Sequence, residues 1–287
     1  MPAPSIHPDT TLGSAHLIVS NLDQSTHFYT EVLGFTLREQ QGNTVTLAAG
    51  DSAPWLLLTA PPDAQPRPPH TTGLYHVALL TPSRAALARS LRRLVEMNYP
   101  LQGAADHLVS EALYLADPDG NGIEIYRDRP RDTWRLANGQ VVMATNHLDL
   151  RALLNEGLAD DRPWSSLDSQ TRIGHMHLQV ADLQAAVDFY TGVLGFDLTA
   201  RYGPGAAFVS AGGYHHHIAL NTWESLGGSP PPSDAVGLRS FTVVLPNAGE
   251  LARVTERLRA AGIAYEEQDG EALVRDPSHN ALRLRAA

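Results

Sequence analysis

Residues 13–37, GSAHLIVSNLDQSTHFYTEVLGFTL, return at residues 174–198 as GHMHLQVADLQAAVDFYTGVLGFDL, identical at 13 of 25 positions without a gap. A chain that repeats itself over such a length is assembled from copies of one unit, which constrains the fold before any single residue does. Each copy reads as a strand and then a helix. HMHLQV alternates as a half-buried strand does. Leu183, Ala186, Val187 and Tyr190 recur at i, i+3, i+4 and i+7, the stripe of an amphipathic helix. Gly195 follows where the chain must turn into the next strand. GAAFVSAGG and HHIALNTW then read as two more strands split by a glycine turn.

A weaker repeat lies within each half. GLYHVALLTPSRAALARSLRRL from Gly73 resembles GLRSFTVVLPNAGELARVTERL from Gly237. Both lead to an Asp-Pro turn and a closing strand, DPDGNGIEIY from Asp117 and DPSHNALRLR from Asp276. The reading is therefore four modules of strand, helix and about three strands, in an α+β chain. Modules one and two fill residues 1–130, and modules three and four fill 171–287. Residues 131–170, rich in Pro, Asp and Arg with one helical stretch (HLDLRALLNEGL), form the linker. A chain of 287 residues is long enough for two domains with real cores.

Composition excludes several classes. The net charge of −10 argues against nucleic acid or an anionic membrane as partner. The absence of cysteine removes disulfides, thiolate catalysis and thiolate metal sites, so any metal must be held by His and carboxylate. No apolar run approaches membrane length, and MPAPSIHPDTTLGS lacks the features of a signal peptide, so cytoplasmic location is the expectation.

HMHLQVADLQAAVDFYTGVLGF and DPDGNGIEIY resemble the opening and closing motifs of the vicinal oxygen chelate superfamily, which includes glyoxalase I, bleomycin-resistance proteins and type I extradiol dioxygenases. The resemblance covers nearly the whole chain outside the linker. GLYH, SEALYLADPDGNGIEIY and SAGGYHHHI are similar to the catechol 2,3-dioxygenase branch. The resemblance implies four βαβββ modules paired into two half-open β-barrels. It also implies a metal held between the first and last strands of paired modules.

The first-strand ligand position is filled by Ser14, His76, His175 and Ser240 in modules one to four. The last-strand position is Glu124 in module two, His217 within one residue in module three, and Arg283 in module four. Serine is a poor ligand and arginine is none, so modules one and four read as vestigial. His76, His175 and Glu124 make up the two-His-one-carboxylate set of non-haem Fe(II) oxygenases, with Mn(II) the alternative ion. They can meet only if module two pairs with module three, within the chain or across a dimer. We predict the two–three pairing. His16 and His177, two residues beyond the ligand position, are assigned to packing or support.

The resemblance further implies a His–Tyr pair upstream of the metal carboxylate, matched here by His107 and Tyr114. It also implies an acid–base histidine on the strand YHHHIAL. Alternation puts His215 and His217 on one face and His216 on the other. His217, deeper in the strand, takes the acid–base role in this reading. The implied reaction is extradiol cleavage of a catechol by O2 to a 2-hydroxymuconic semialdehyde. The expected partners are thus a small aromatic diol and O2, with no nucleic acid and no membrane, and a homo-oligomer is compatible with the pattern. The competing readings are cleavage of a hydroquinone, a glyoxalase-like isomerase, and a non-catalytic binding protein of the bleomycin-resistance kind.

Overall fold

A computed structural model describes residues 5–287. The strands form two curled eight-stranded sheets and one small hairpin. One sheet runs Asp197–Tyr202, Ala206–Ser210, Ile218–Asn221, Arg172–Gln179, Gly73–Leu80, Gly122–Asp128, Ser110–Ala116, Gly103–Asp106. It is module three joined to module two. The other joins module four to module one through the antiparallel pair Thr11–Ile18 and Gly237–Leu245. The expected two–three pairing is therefore present within one chain, and each sheet takes one module from each half of the sequence.

The module helices start as their sequences dictate. Asn21, Ser83, Asp182 and Asn247 each cap the helix that follows, accepting from a backbone N–H three residues on. In modules one and three the helix then widens. Leu22–His27 and Leu183–Val187 are α-helical, and Phe28–Val32 and Asp188–Val193 continue as π-turns. The extra residue per turn brings Phe28 and Tyr29, or Phe189 and Tyr190, into the core together.

The linker is more structured than its composition suggested. It contains a hairpin of Leu136–Ala137 and Gln140–Val141, and the helix Leu150–Ala159, which packs on Arg84–Glu96. Gly157 permits that approach, since a Cβ there would lie 2.4 Å from the Ala88 carbonyl oxygen. Among the described residues no helix is long and apolar enough to cross a membrane.

Candidate metal centre and active site

The centre is built on two adjacent strands from different modules. Gly73–Leu80 and Arg172–Gln179 run antiparallel, with His76 opposite His177 and Ala78 opposite His175. Residues directly opposite share a face, and so do residues two apart on a strand. His76, Ala78, His175 and His177 thus share one face. The ladder shifts register on both sides of His175 and His177, which bends the strand where these rings project. On the other side of the central strand, Ala78 stands beside Glu124 in parallel register. A fully buried alanine between His175 and Glu124 leaves the space into which their heads converge.

His76 Nε2 lies 2.9 Å from Glu124 Oε2, His175 Nε2 lies 3.2 Å from the same oxygen, and the two Nε2 atoms are 3.3 Å apart. All three side chains are buried. Burial acts to raise the Glu124 pKa, but His175 and then His76 outweigh it and hold the carboxyl well below its usual range. Burial lowers His175 to about 4 despite Glu124. The donor set at neutral pH is therefore a carboxylate beside a neutral His175 ring, the forms a divalent cation requires. Two ring nitrogens aimed at one carboxylate oxygen and at each other suit a shared cation between them, so the residues fit an Fe(II)- or Mn(II)-type ion. His175 Nδ1 is buried without a partner among the described residues. Packing holds that ring instead, with Tyr126 at 4.9 Å and His216 at 4.1 Å between centroids. Gly174 makes room for Tyr126, because a Cβ there would lie 1.8 Å from the tyrosine oxygen.

The cluster lines a cavity of about 1260 Å³. His107 and Tyr114 line it too, and they meet: His107 Nε2 is 2.6 Å from the Tyr114 hydroxyl. His107 Nδ1 lies 2.7 Å from the Ala144 carbonyl, which can only accept. In the neutral ring Nε2 is then the acceptor, and the Tyr114 hydroxyl donates to it. Burial, reinforced by the charge of Glu124, keeps the Tyr114 phenol well above its usual pKa.

The histidine run departs from expectation. The strand starts only at Ile218, and the chain bends at His215 and again at His217. Gly212 and Gly213 before it have φ of 61° and 66°, the left-handed turn that glycine allows. Strand alternation therefore does not govern this segment. His216 lines the cavity beside His175, while His217 turns away, its Nδ1 accepting from the Ala211 N–H at 3.2 Å. Of the two, it is His216 and not His217 whose ring lines the cavity. The register also corrects the ligand frame of module three. Glu124 stands opposite Ala78, two residues beyond His76, and the residue opposite His177, two beyond His175, is Ala219. His217 is two residues short of that position, not one.

His177, assigned from sequence to packing or support, lines the cavity, with its Nε2 accepting from Asn221 Nδ2 at 2.9 Å and its ring 4.7 Å from that of His76. The linker residues Met143, Ala144 and Thr145 form part of the wall, for which the sequence carried no signal. In the other sheet the equivalent ground has no ligand set among the described residues: Ser14 and Thr242 hydroxyls bond each other at 2.9 Å, and His16 Nε2 bonds Thr59 at 2.8 Å.

The pattern of the Glyoxalase/Bleomycin resistance protein/Dioxygenase superfamily matches residues 11–125 and 172–284. A Bacillus subtilis protein named catechol-2,3-dioxygenase is 47% identical over 280 residues, covering 96% of this chain and 97% of that protein. Among solved structures, a Bacillus subtilis protein described as a candidate dioxygenase superposes with a TM-score of 0.65 at 13% identity, over 98% of this chain and 86% of that one. Maize glyoxalase I superposes with a TM-score of 0.57 at 14% identity, over 96% and 92%. These two likenesses concern the fold.

Proposed function

The chain belongs to the glyoxalase/bleomycin resistance protein/dioxygenase superfamily, and from that premise we propose that it is an extradiol dioxygenase that cleaves a catechol with O2 to a 2-hydroxymuconic semialdehyde. The observation that carries the reading is the buried anionic cluster of His76, His175 and Glu124 on the wall of a large cavity. Its volume, about 1260 Å³, exceeds the ~300–1,000 Å³ of ordinary small-molecule pockets, so a substituted catechol fits.

His76, His175 and Glu124 would hold Fe(II), with Mn(II) the alternative. When bound, such an ion supplies electron transfer between a chelated diol and O2. The remaining work falls to the protein. His216, held neutral by burial, takes a proton from the diol and returns it to the product oxygen. Tyr114, steadied by His107, offers its oxygen to a substrate hydroxyl. His177, anchored by Asn221, stands beside His76 and limits where the ring can lie. Tyr75, Phe208 and Trp223 give the cavity aromatic walls that displace water from around the diol.

The test is direct. The protein is loaded with Fe(II) without air, mixed with catechol, and then exposed to oxygen. A yellow ring-fission product is expected. Metal uptake with no ring fission would turn the reading towards an isomerase, and failure to take up metal would turn it towards a binding protein.

A further inference from the structure

Behind His216 lies a chain of hydrogen bonds that the reaction described above does not use. His216 Nδ1 is 2.8 Å from Nδ1 of His215. His215 is fully buried, and its Nε2 is 2.8 Å from Asp128 Oδ1. The Tyr214 hydroxyl donates to the same carboxylate oxygen at 3.2 Å, and the Tyr126 hydroxyl lies 2.8 Å from Tyr214. Asp128 sits at the end of the strand that carries Glu124, so the chain is anchored to the same strand as the cluster.

Donor and acceptor roles along this chain are not free. An ionised carboxylate only accepts, so His215 Nε2 must donate to Asp128. In the neutral ring the other nitrogen, Nδ1, is then an acceptor. The facing nitrogen, His216 Nδ1, must carry a proton to satisfy it. His216 Nε2, which has no protein partner among the described residues and belongs to a cavity-lining ring, is left with its lone pair. A carboxylate that orients an imidazole is a known way of presenting a base; here a second imidazole stands between them.

We propose that Asp128 and His215 are positioning residues that fix His216 in its Nδ1–H tautomer, so that the nitrogen facing the cavity can only accept a proton. The consequence for turnover rests on the ring-cleavage reading, while the tautomer itself does not.

The test separates the two. Full-length protein labelled with ¹⁵N-histidine and loaded with Zn(II), which is diamagnetic, gives each ring's tautomer from its nitrogen shifts. The His216 signal is assigned by its absence in His216→Gln. The proton is expected on His216 Nδ1 in the parent protein. It should stay there in His215→Asn, whose side-chain oxygen stands where Nδ1 stood. It should move to Nε2, or divide between the two, in His215→Phe. With Fe(II) and catechol, His215→Phe should lose about 10²-fold in kcat with KM little changed, the scale of a lost acid–base group, and His215→Asn should recover most of it. A proton on His216 Nε2 in the parent protein overturns the proposal. So does a His215→Phe protein with parental tautomer and kcat. If His215→Phe does not fold, His215→Asn decides, and an Nε2–H tautomer in that variant overturns the proposal. If the parent protein cleaves no catechol, the functional reading fails while the nitrogen shifts still decide the tautomer.

Discussion

The Tyr29 hydroxyl donates to Asp117 Oδ2 at 3.1 Å, joining module one in one sheet to the closing turn of module two in the other. The contact occurs twice: Tyr190 donates to Asp276 Oδ2, also at 3.1 Å, in the opposite direction between the sheets. Each aspartate is further held by two backbone N–H groups and an asparagine side chain, Asn121 or Asn280. Burial pushes both carboxyl pKa values up, and the asparagine bonds pull against it. A donor removed here leaves a buried carboxyl short of a partner.

Tyr29→Phe should therefore destabilise the fold by about 1.5–3 kcal/mol, the range for a hydrogen bond to a charged group. Tyr190→Phe should do the same, and the double variant should lose about the sum, since the two sites share no partner. Urea unfolding curves measure all three. An unchanged midpoint in either single variant would remove these pairs from the account of how the sheets are joined.

His16 supplies a pH dependence away from the cavity. Burial, then Arg239 and Arg283, lowers its pKa from 6.5 to about 4. The unfolded chain takes up a proton that the folded protein refuses, so this contribution to stability is complete above pH 6.5 and drains away as the pH falls towards 4. His16→Gln should flatten the stability–pH curve between those limits. A slope identical to that of the parent protein would show that His16 is not held neutral.

The modules were legible because they rest on a repeat, and the two–three pairing because the ligand positions implied by the family resemblance, His76, His175 and Glu124, could meet only through it. Once Gly13 and Gly174 align, every strand position inherits a face. The pairs Tyr29–Asp117 and Tyr190–Asp276 are visible in retrospect as FYT and DPxxN recurring together. What was not legible depends on chain direction outside strands. The glycine turn at Gly212–Gly213 re-aims His215 to His217, and no alternation rule reaches across it. The linker wall at residues 143–145 is placed by long-range contacts such as that between His107 and the Ala144 carbonyl.

Glu124→Gln keeps the shape of the cluster and removes its charge. Binding of a divalent ion stabilises the folded state, by about 2.7 kcal/mol when the free ion is 100-fold above its Kd. Added Fe(II) or Mn(II) should thus raise the melting temperature of the parent protein and leave that of Glu124→Gln unmoved. Metal analysis after gel filtration should find the ion only in the parent. Retention of stoichiometric metal by Glu124→Gln would remove the carboxylate from the ligand set.

His216 and His217 are chain neighbours with opposite surroundings, which makes their comparison sharp. His216 lies on the cavity wall against His175, and burial holds its ring neutral. His217 is outside the cavity lining and takes a backbone N–H from Ala211. His216→Gln should spare metal binding and lower kcat for catechol by about 10²-fold or more, as expected for loss of an acid–base group. His217→Gln should leave kcat within about threefold and cost only the stability of one hydrogen bond, about 1 kcal/mol. Steady-state oxygen consumption with metal-replete protein measures both rates. The opposite ranking, with His217 the more damaging substitution, would return the acid–base role to the strand end and contradict the bend that separates the two rings.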